Sequence, residues 1–133
     1  MCDAIYEKTA VLLIAHGSRR TDANDDLARL AEVVRQQGPY PLVEISYLEL
    51  AQPSIPEGAR RCIDWGAETV LLLPYFLSAG AHAAGDLDRF RRELAVEFPN
   101  VEFRLCQPLG LHRLMVEIVL DRLREGAGNE QFD

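Results

Sequence analysis

Residues 9–27 read TAVLLIAHGSRRTDANDDL. The run Ala10 to Ala15 is apolar throughout and too short for most helices, so it reads as a strand buried on both faces. It stops at His16, Gly17 and Ser18, passes Arg19 and Arg20, and enters an acidic stretch. Asp22, Asp25 and Asp26 stand where the positive end of a helix dipole favours carboxylates. From there Leu27, Leu30, Ala31 and Val34 recur at helical spacing. A strand, a short polar loop and a helix in succession open a βαβ pattern.

The rest of the chain continues that pattern. Further strands are predicted over Leu42 to Leu48, Thr69 to Phe76 and Val101 to Cys106. The first and third strands are almost wholly apolar and so belong at the centre of a parallel sheet; the other two alternate and so belong at its flanks. Leu87, Phe90, Leu94 and Phe98 mark one amphipathic helix, and Leu111, Leu114, Met115, Ile118 and Leu123 another, each with a stripe expected to be buried. Between the second and third strands, Ser54 and Glu57 form a capping box, Pro56 lies in the first turn and Gly66 ends the helix. These alternations predict a single α/β domain over residues 10–124, a four-stranded parallel sheet with helices on both faces. Residues 1–9 read as a leader, and residues 125–133 as a tail expected to fray.

Composition bounds the function. With 48% hydrophobic and 26% charged residues in 133, the chain is that of a globular protein with room for one core. The net charge of −7 argues against a general binder of nucleic acid or anionic membrane, so an anionic substrate needs a local basic patch. The start MCDAIYEKT has no signal-peptide pattern, and no apolar run approaches the ~20 residues of a membrane span, which predicts a cytoplasmic protein. Cys2, Cys62 and Cys106 are widely spaced and form no CxxC pair, so reduced thiols are expected rather than disulfides or a thiolate zinc site.

In parallel sheets ligands gather beyond the carboxyl ends of the strands. Here the first strand runs into His16, the second into Glu49, and the third into the loop SAGAH with His82. Two imidazoles and a carboxylate at one sheet edge suit a borderline divalent metal. Gly17 and Gly80 would permit tight turns and close approach of a flat ligand. Asp86, four residues after His82, would cap the third helix or orient that imidazole. Arg19 and Arg20 are candidates for the local basic patch. The Arg60–Arg61 and Arg91–Arg92 pairs read as solvated helix faces, and His112 as structural or interfacial. Trp65, Tyr47, Tyr75 and Phe76 read as core or wall residues. Ser18 lacks the G-x-S-x-G setting of a hydrolase nucleophile, phosphate-cradling glycine patterns are absent, and Ala15 stands where a histidine phosphatase carries arginine.

Four blocks carry a resemblance: LLIAHGSR (12–19), YLELAQPSIPE (47–57), LLLPYFLSAGAHAAGDL (71–87) and QPLGLHRL (107–114). In this order they resemble the sirohydrochlorin chelatases, specifically the short members with a single repeat. The resemblance implies a three-layer chelatase-like domain that inserts cobalt, iron or nickel, as a substrate metal, into a sirohydrochlorin-type tetrapyrrole without a nucleotide. It implies His16 and His82 as catalytic and metal-holding residues with Glu49 beside them, and a homodimer; beside these, Ser18, Arg19 and Gly80 are expected to contact the substrate and Asp86 to stand behind His82. One departure stands out: AHAAGDLDRF is barer than the bulkier or charged sequence that often surrounds the second histidine. The alternative is a carrier of metal or tetrapyrrole that keeps the fold without turnover.

Overall fold

The structure, a computed structural model, describes residues 4–128. Strand β1 (Thr9–Ala15) pairs in parallel with β2 (Leu42–Tyr47) on one edge and β3 (Thr69–Pro74) on the other; β4 (Glu102–Leu105) pairs with β3. The sheet order is β2-β1-β3-β4, so the two apolar strands are central and the two alternating ones flank them.

Helix α1 (Thr21–Gln37) packs on one face, where Leu27 and Ala31 meet Val11, Leu13, Val43 and Tyr47. Helices α2 (Ile55–Trp65) and α3 (Ala81–Glu97) cover the other, where Ile55, Ala59, Cys62, Leu87 and Leu94 meet Leu12, Ile14, Val70 and Leu72. Each β1 residue points opposite to the next, so a single strand feeds both cores. Helix α2 has the expected punctuation: Ser54 Oγ accepts from the Glu57 N–H, the Glu57 carboxylate accepts from the Ser54 N–H, and Gly66 closes the helix at φ 110°. Gly58 lets that helix lie close on the sheet, since a Cβ there would sit 2.8 Å from Leu12 Cδ1 and 3.1 Å from the Ile45 carbonyl.

Four expectations are corrected. The third helix begins at Ala81, so His82 lies in its first turn rather than in a loop, and Asp86 lies a turn further on rather than at the cap. Ala81, Ala83 and Ala84 favour helix strongly enough to start it early, with Gly80 as the N-cap. The last helix, α4 (Arg113–Gly126), has the amphipathic pattern but buries none of it: Leu114, Ile118 and Leu123 are exposed in the single chain. Periodicity shows that a face wants covering, without saying which chain covers it. Helix α4 also extends past the expected boundary at 124, so Glu125 and Gly126 are helical; the rest of the tail beyond Gly128 lies outside the described residues. At the other end the leader is partly built in, with Ala4–Tyr6 in a 3-10 turn and the Tyr6 ring edge-on to Tyr40 at 5.1 Å.

No helix among the described residues is long and apolar enough to cross a membrane. Cys62 and Cys106 are free thiols, and Cys2 lies outside the described residues. Burial in the α2 core pushes the Cys62 thiol up to about 12, with the Glu44 charge adding, and burial raises Cys106 as well. Alkylation requires the thiolate, so at pH 8 iodoacetamide should leave Cys62 unmodified in the folded protein and label it rapidly in guanidinium. Mass spectrometry of the labelled peptides reads this directly; equal rates in both states would contradict the burial.

Candidate functional site

The chain leaves β1 toward β2 on one side and reaches β3 on the other, so the loops after β1 and β3 diverge at the carboxyl edge between these strands. The first histidine stands on that switch point. The ladder continues past the strand ends: Tyr75 N–H donates to Ile14 O (2.7 Å), Leu48 N–H to Ala15 O (2.9 Å) and Glu49 N–H to His16 O (3.0 Å). The His16 carbonyl is therefore held from the β2 side, and Ile14, two residues earlier, from the β3 side.

Gly17 follows at φ 99°, and a Cβ there would lie 1.7 Å from the Glu49 carbonyl oxygen. No side chain fits that contact, so the loops after β1 and β2 meet backbone to backbone. Leu50, exposed at φ 68°, adds a left-handed residue beside Glu49. Ser18 is clamped reciprocally by Asn24: Ser18 N–H donates to Asn24 Oδ1 (3.0 Å) and Asn24 Nδ2 donates to Ser18 O (2.7 Å). Ser18 Oγ accepts from Arg20 N–H at 3.0 Å, so the hydroxyl shapes the turn. Tyr47 completes the brace by donating its hydroxyl to Asn24 O at 2.8 Å. Burial, with the charge of Asp25 adding, raises the phenol and keeps it a donor.

Glu49 is exposed, as is Arg19, which has no carboxylate partner among the described residues. Arg20 instead pairs with Asp22 at 3.1 Å and holds that carboxyl below its ordinary value. The His82 side chain is 97% exposed, with Nε2 3.6 Å from Asp86 Oδ2, a contact too long for a hydrogen bond. Asp86 also faces Arg89 at 3.6 Å. Gly80 opens onto free space, with nothing within 4 Å of where a Cβ would stand. Tyr75 is 42% exposed, whereas Phe76 is buried with its ring stacked on His16.

Among the described residues, no three His, Cys, Asp or Glu side chains converge closely enough to hold a metal ion. His16, Glu49 and His82 share one edge of the sheet but do not form a preassembled ligand sphere within one chain. A neighbouring groove of about 560 Å³ between α2 and α3 is lined by Pro56, Arg60, Leu94 and Phe98. There the Arg60 guanidinium is already engaged by Glu97 (3.7 Å) and by the Phe98 ring (4.9 Å).

The sequence alone does not single out Asn24, and it reads Tyr47 as a core or wall residue rather than as part of this brace. An asparagine three residues into a helix, after a serine at a strand end, is compatible with capping of the loop, but only the fold shows which amide it meets.

Comparison with known proteins agrees with this fold. The profile of the family described as CbiX matches residues 10–126. The chain is 32% identical over 131 residues to the chloroplastic sirohydrochlorin ferrochelatase of Arabidopsis thaliana, covering 98% of this chain and 58% of the relative. It is 26% identical over 141 residues to the sirohydrochlorin cobaltochelatase of Methanopyrus kandleri, covering 91% of this chain and 99% of that one. Among solved structures it is similar to the sirohydrochlorin chelatase SirB of Bacillus subtilis subspecies spizizenii in complex with cobalt. That match has a TM-score of 0.82 and 30% identity, covering 89% of this chain and 50% of SirB. The chain thus spans about half the length of several relatives that it matches.

The contact at Gly17 is testable through stability. Gly17→Ala should cost at least about 2 kcal/mol, since it combines a strained φ with a backbone clash. Gly85→Ala, in open space within α3, should instead stabilise by roughly 0.5–1 kcal/mol. Urea denaturation midpoints of the two variants should therefore move in opposite directions, and an unchanged midpoint for Gly17→Ala would refute the close approach.

Proposed function

The chain belongs to the CbiX family, and on that premise we propose that it inserts a divalent metal, cobalt, iron or nickel, into a sirohydrochlorin-type tetrapyrrole in the cytoplasm. The observation that carries this reading is the placement of His16 on the switch point of the sheet, with His82 on the helix that follows β3. Relatives acting on sirohydrochlorin support the substrate class.

The chemistry fits the residues. Insertion forms metal–nitrogen bonds to the macrocycle and releases two pyrrole N–H protons for each metal ion taken up. Imidazole, with an ordinary pKa of about 6.5, can hold the ion through one nitrogen near neutrality or take up a proton when it lets go. His16 and His82 present the metal in this reading, and Glu49 serves as auxiliary ligand or proton acceptor. Asp86 steadies His82. Ser18 and Gly80 border the macrocycle, and Arg19 is placed to pair with its carboxylates.

An anaerobic absorbance time course with sirohydrochlorin and each metal, set against a protein-free control, tests this. His16→Ala and His82→Ala should each lower the protein-dependent rate at least 100-fold, roughly the low end of what a positioned acid–base group supplies. Rates near wild type would remove the histidines from the mechanism. A macrocycle bound without any acceleration by the native protein would identify a carrier.

The proposal includes a homodimer. From Leu114 to Leu123 only Glu117, Asp121 and Arg122 interrupt the apolar residues of α4, a pattern of helices that are covered on most sides. Beside it, Leu77, Gly110, Leu111, Met115 and Val119 line an apolar cleft of about 580 Å³. A second copy is the fitting occupant, because two copies make a body about as long as the SirB chain, of which this chain spans 50%. Sedimentation should show a dimer that Ile118→Glu combined with Val119→Glu converts to monomer; a monomeric native protein would refute it.

A further inference from the structure

The His16 imidazole lies flat against the Phe76 ring, with centroids 4.0 Å apart and planes inclined by 11°. The register dictates this pairing. Ile14 and Pro74 are partners across β1 and β3, and the bond from Tyr75 N–H to Ile14 O carries the pairing beyond β3. Two residues further on each chain come His16 and Phe76, on the same side of the sheet as Ile14 and Leu72.

Phe76 is itself packed in the core. It is only 4% exposed and belongs to the core beneath α2 and α3. Its carbonyl also accepts from the Leu109 N–H at 3.0 Å, tying this segment to the turn before α4. The His16 ring thus rests on a fixed aromatic plane while its edge faces solvent.

We propose that Phe76 is a positioning residue for His16: it sets the plane of the imidazole and closes one ring face, so that the in-plane nitrogens point toward the incoming metal. The inference rests on the reading of His16 as a metal-presenting residue, and it deepens that reading. The argument is geometric. A metal binds an imidazole nitrogen in the plane of the ring, so fixing the plane fixes the line along which the ion is offered. The backbone bonds at His16 hold its Cα but leave side-chain rotation free, and offset stacking on an aromatic neighbour removes that freedom. A histidine free to rotate would offer the same nitrogens over a wide cone, with a corresponding loss of reactive geometry.

The test uses Phe76→Leu, which removes the plane, and Phe76→Tyr, which keeps it, alongside His16→Ala. In the wild-type protein, proton–carbon NMR should show His16 ring signals shifted upfield by the neighbouring ring, with nuclear Overhauser contacts to Phe76. Phe76→Leu should lose that shift, weaken cobalt(II) binding and lower the insertion rate, the last two by roughly 10- to 100-fold, while sirohydrochlorin binding holds. Phe76→Tyr should restore all three. Circular dichroism at the assay temperature confirms that the compared variants are folded, and the wild-type NMR contacts need no variant.

Absence of the ring shift in the wild type overturns the proposal. So does a folded Phe76→Leu with normal cobalt affinity and rate while His16→Ala is inactive, an outcome that leaves the chelatase reading intact. Normal rates in His16→Ala would instead overturn the chelatase role of His16, and the positioning role with it.

Discussion

Strand β1 is hydrogen-bonded along both edges, and its partners continue to hold the chain after the strand has ended. An edge strand would leave its last residues free on one side. Here the carbonyls of Ile14, Ala15 and His16 are taken by Tyr75, Leu48 and Glu49. The βα turn that carries the first histidine is therefore anchored where such turns are ordinarily mobile. Gly17 follows from that anchoring: once the loops after β1 and β2 are drawn together, the Glu49 carbonyl occupies the space where a side chain would begin.

The same anchoring explains the polar residues nearby. A loop held at one end still needs its remaining amides satisfied, and Asn24 does this from the first turns of α1 by pairing with both backbone groups of Ser18. Tyr47, at the end of β2, ties Asn24 back to the sheet. Three elements thus meet around five residues of loop, which lets an exposed histidine keep a defined backbone position without being buried.

Much of this was legible in the sequence because its causes are local. A continuous apolar run identifies a central strand, and the capping box of α2 with its closing Gly66 needs only neighbours within one helix. His16 and Glu49 could be placed at strand ends by the same local reading. The start of α3 is less legible: Asp86 has the chemistry of a cap, whereas the alanines around His82 begin the helix earlier. The fate of the α4 stripe was illegible for a different reason: its cover is not specified by the chain's own sheet. The contact of Phe76 with His16 depends on the register of β1 against β3 across 60 residues of sequence, and strands apolar on both faces carry little pattern to fix that register.

Among the described residues, no three His, Cys, Asp or Glu side chains converge at this edge. A resident cofactor is held by several converging ligands because loss of the ion means loss of activity. A metal that is itself a substrate must leave on every turnover, and each additional strong ligand deepens the well from which it must escape. On the proposed reading, two imidazoles with an auxiliary carboxylate would hold such an ion weakly, and weak holding tolerates little disorder in direction. The structure itself fixes the backbone at His16 and stacks its ring on Phe76; on the proposed reading, that rigidity would let a loosely held ion be offered along a fixed line.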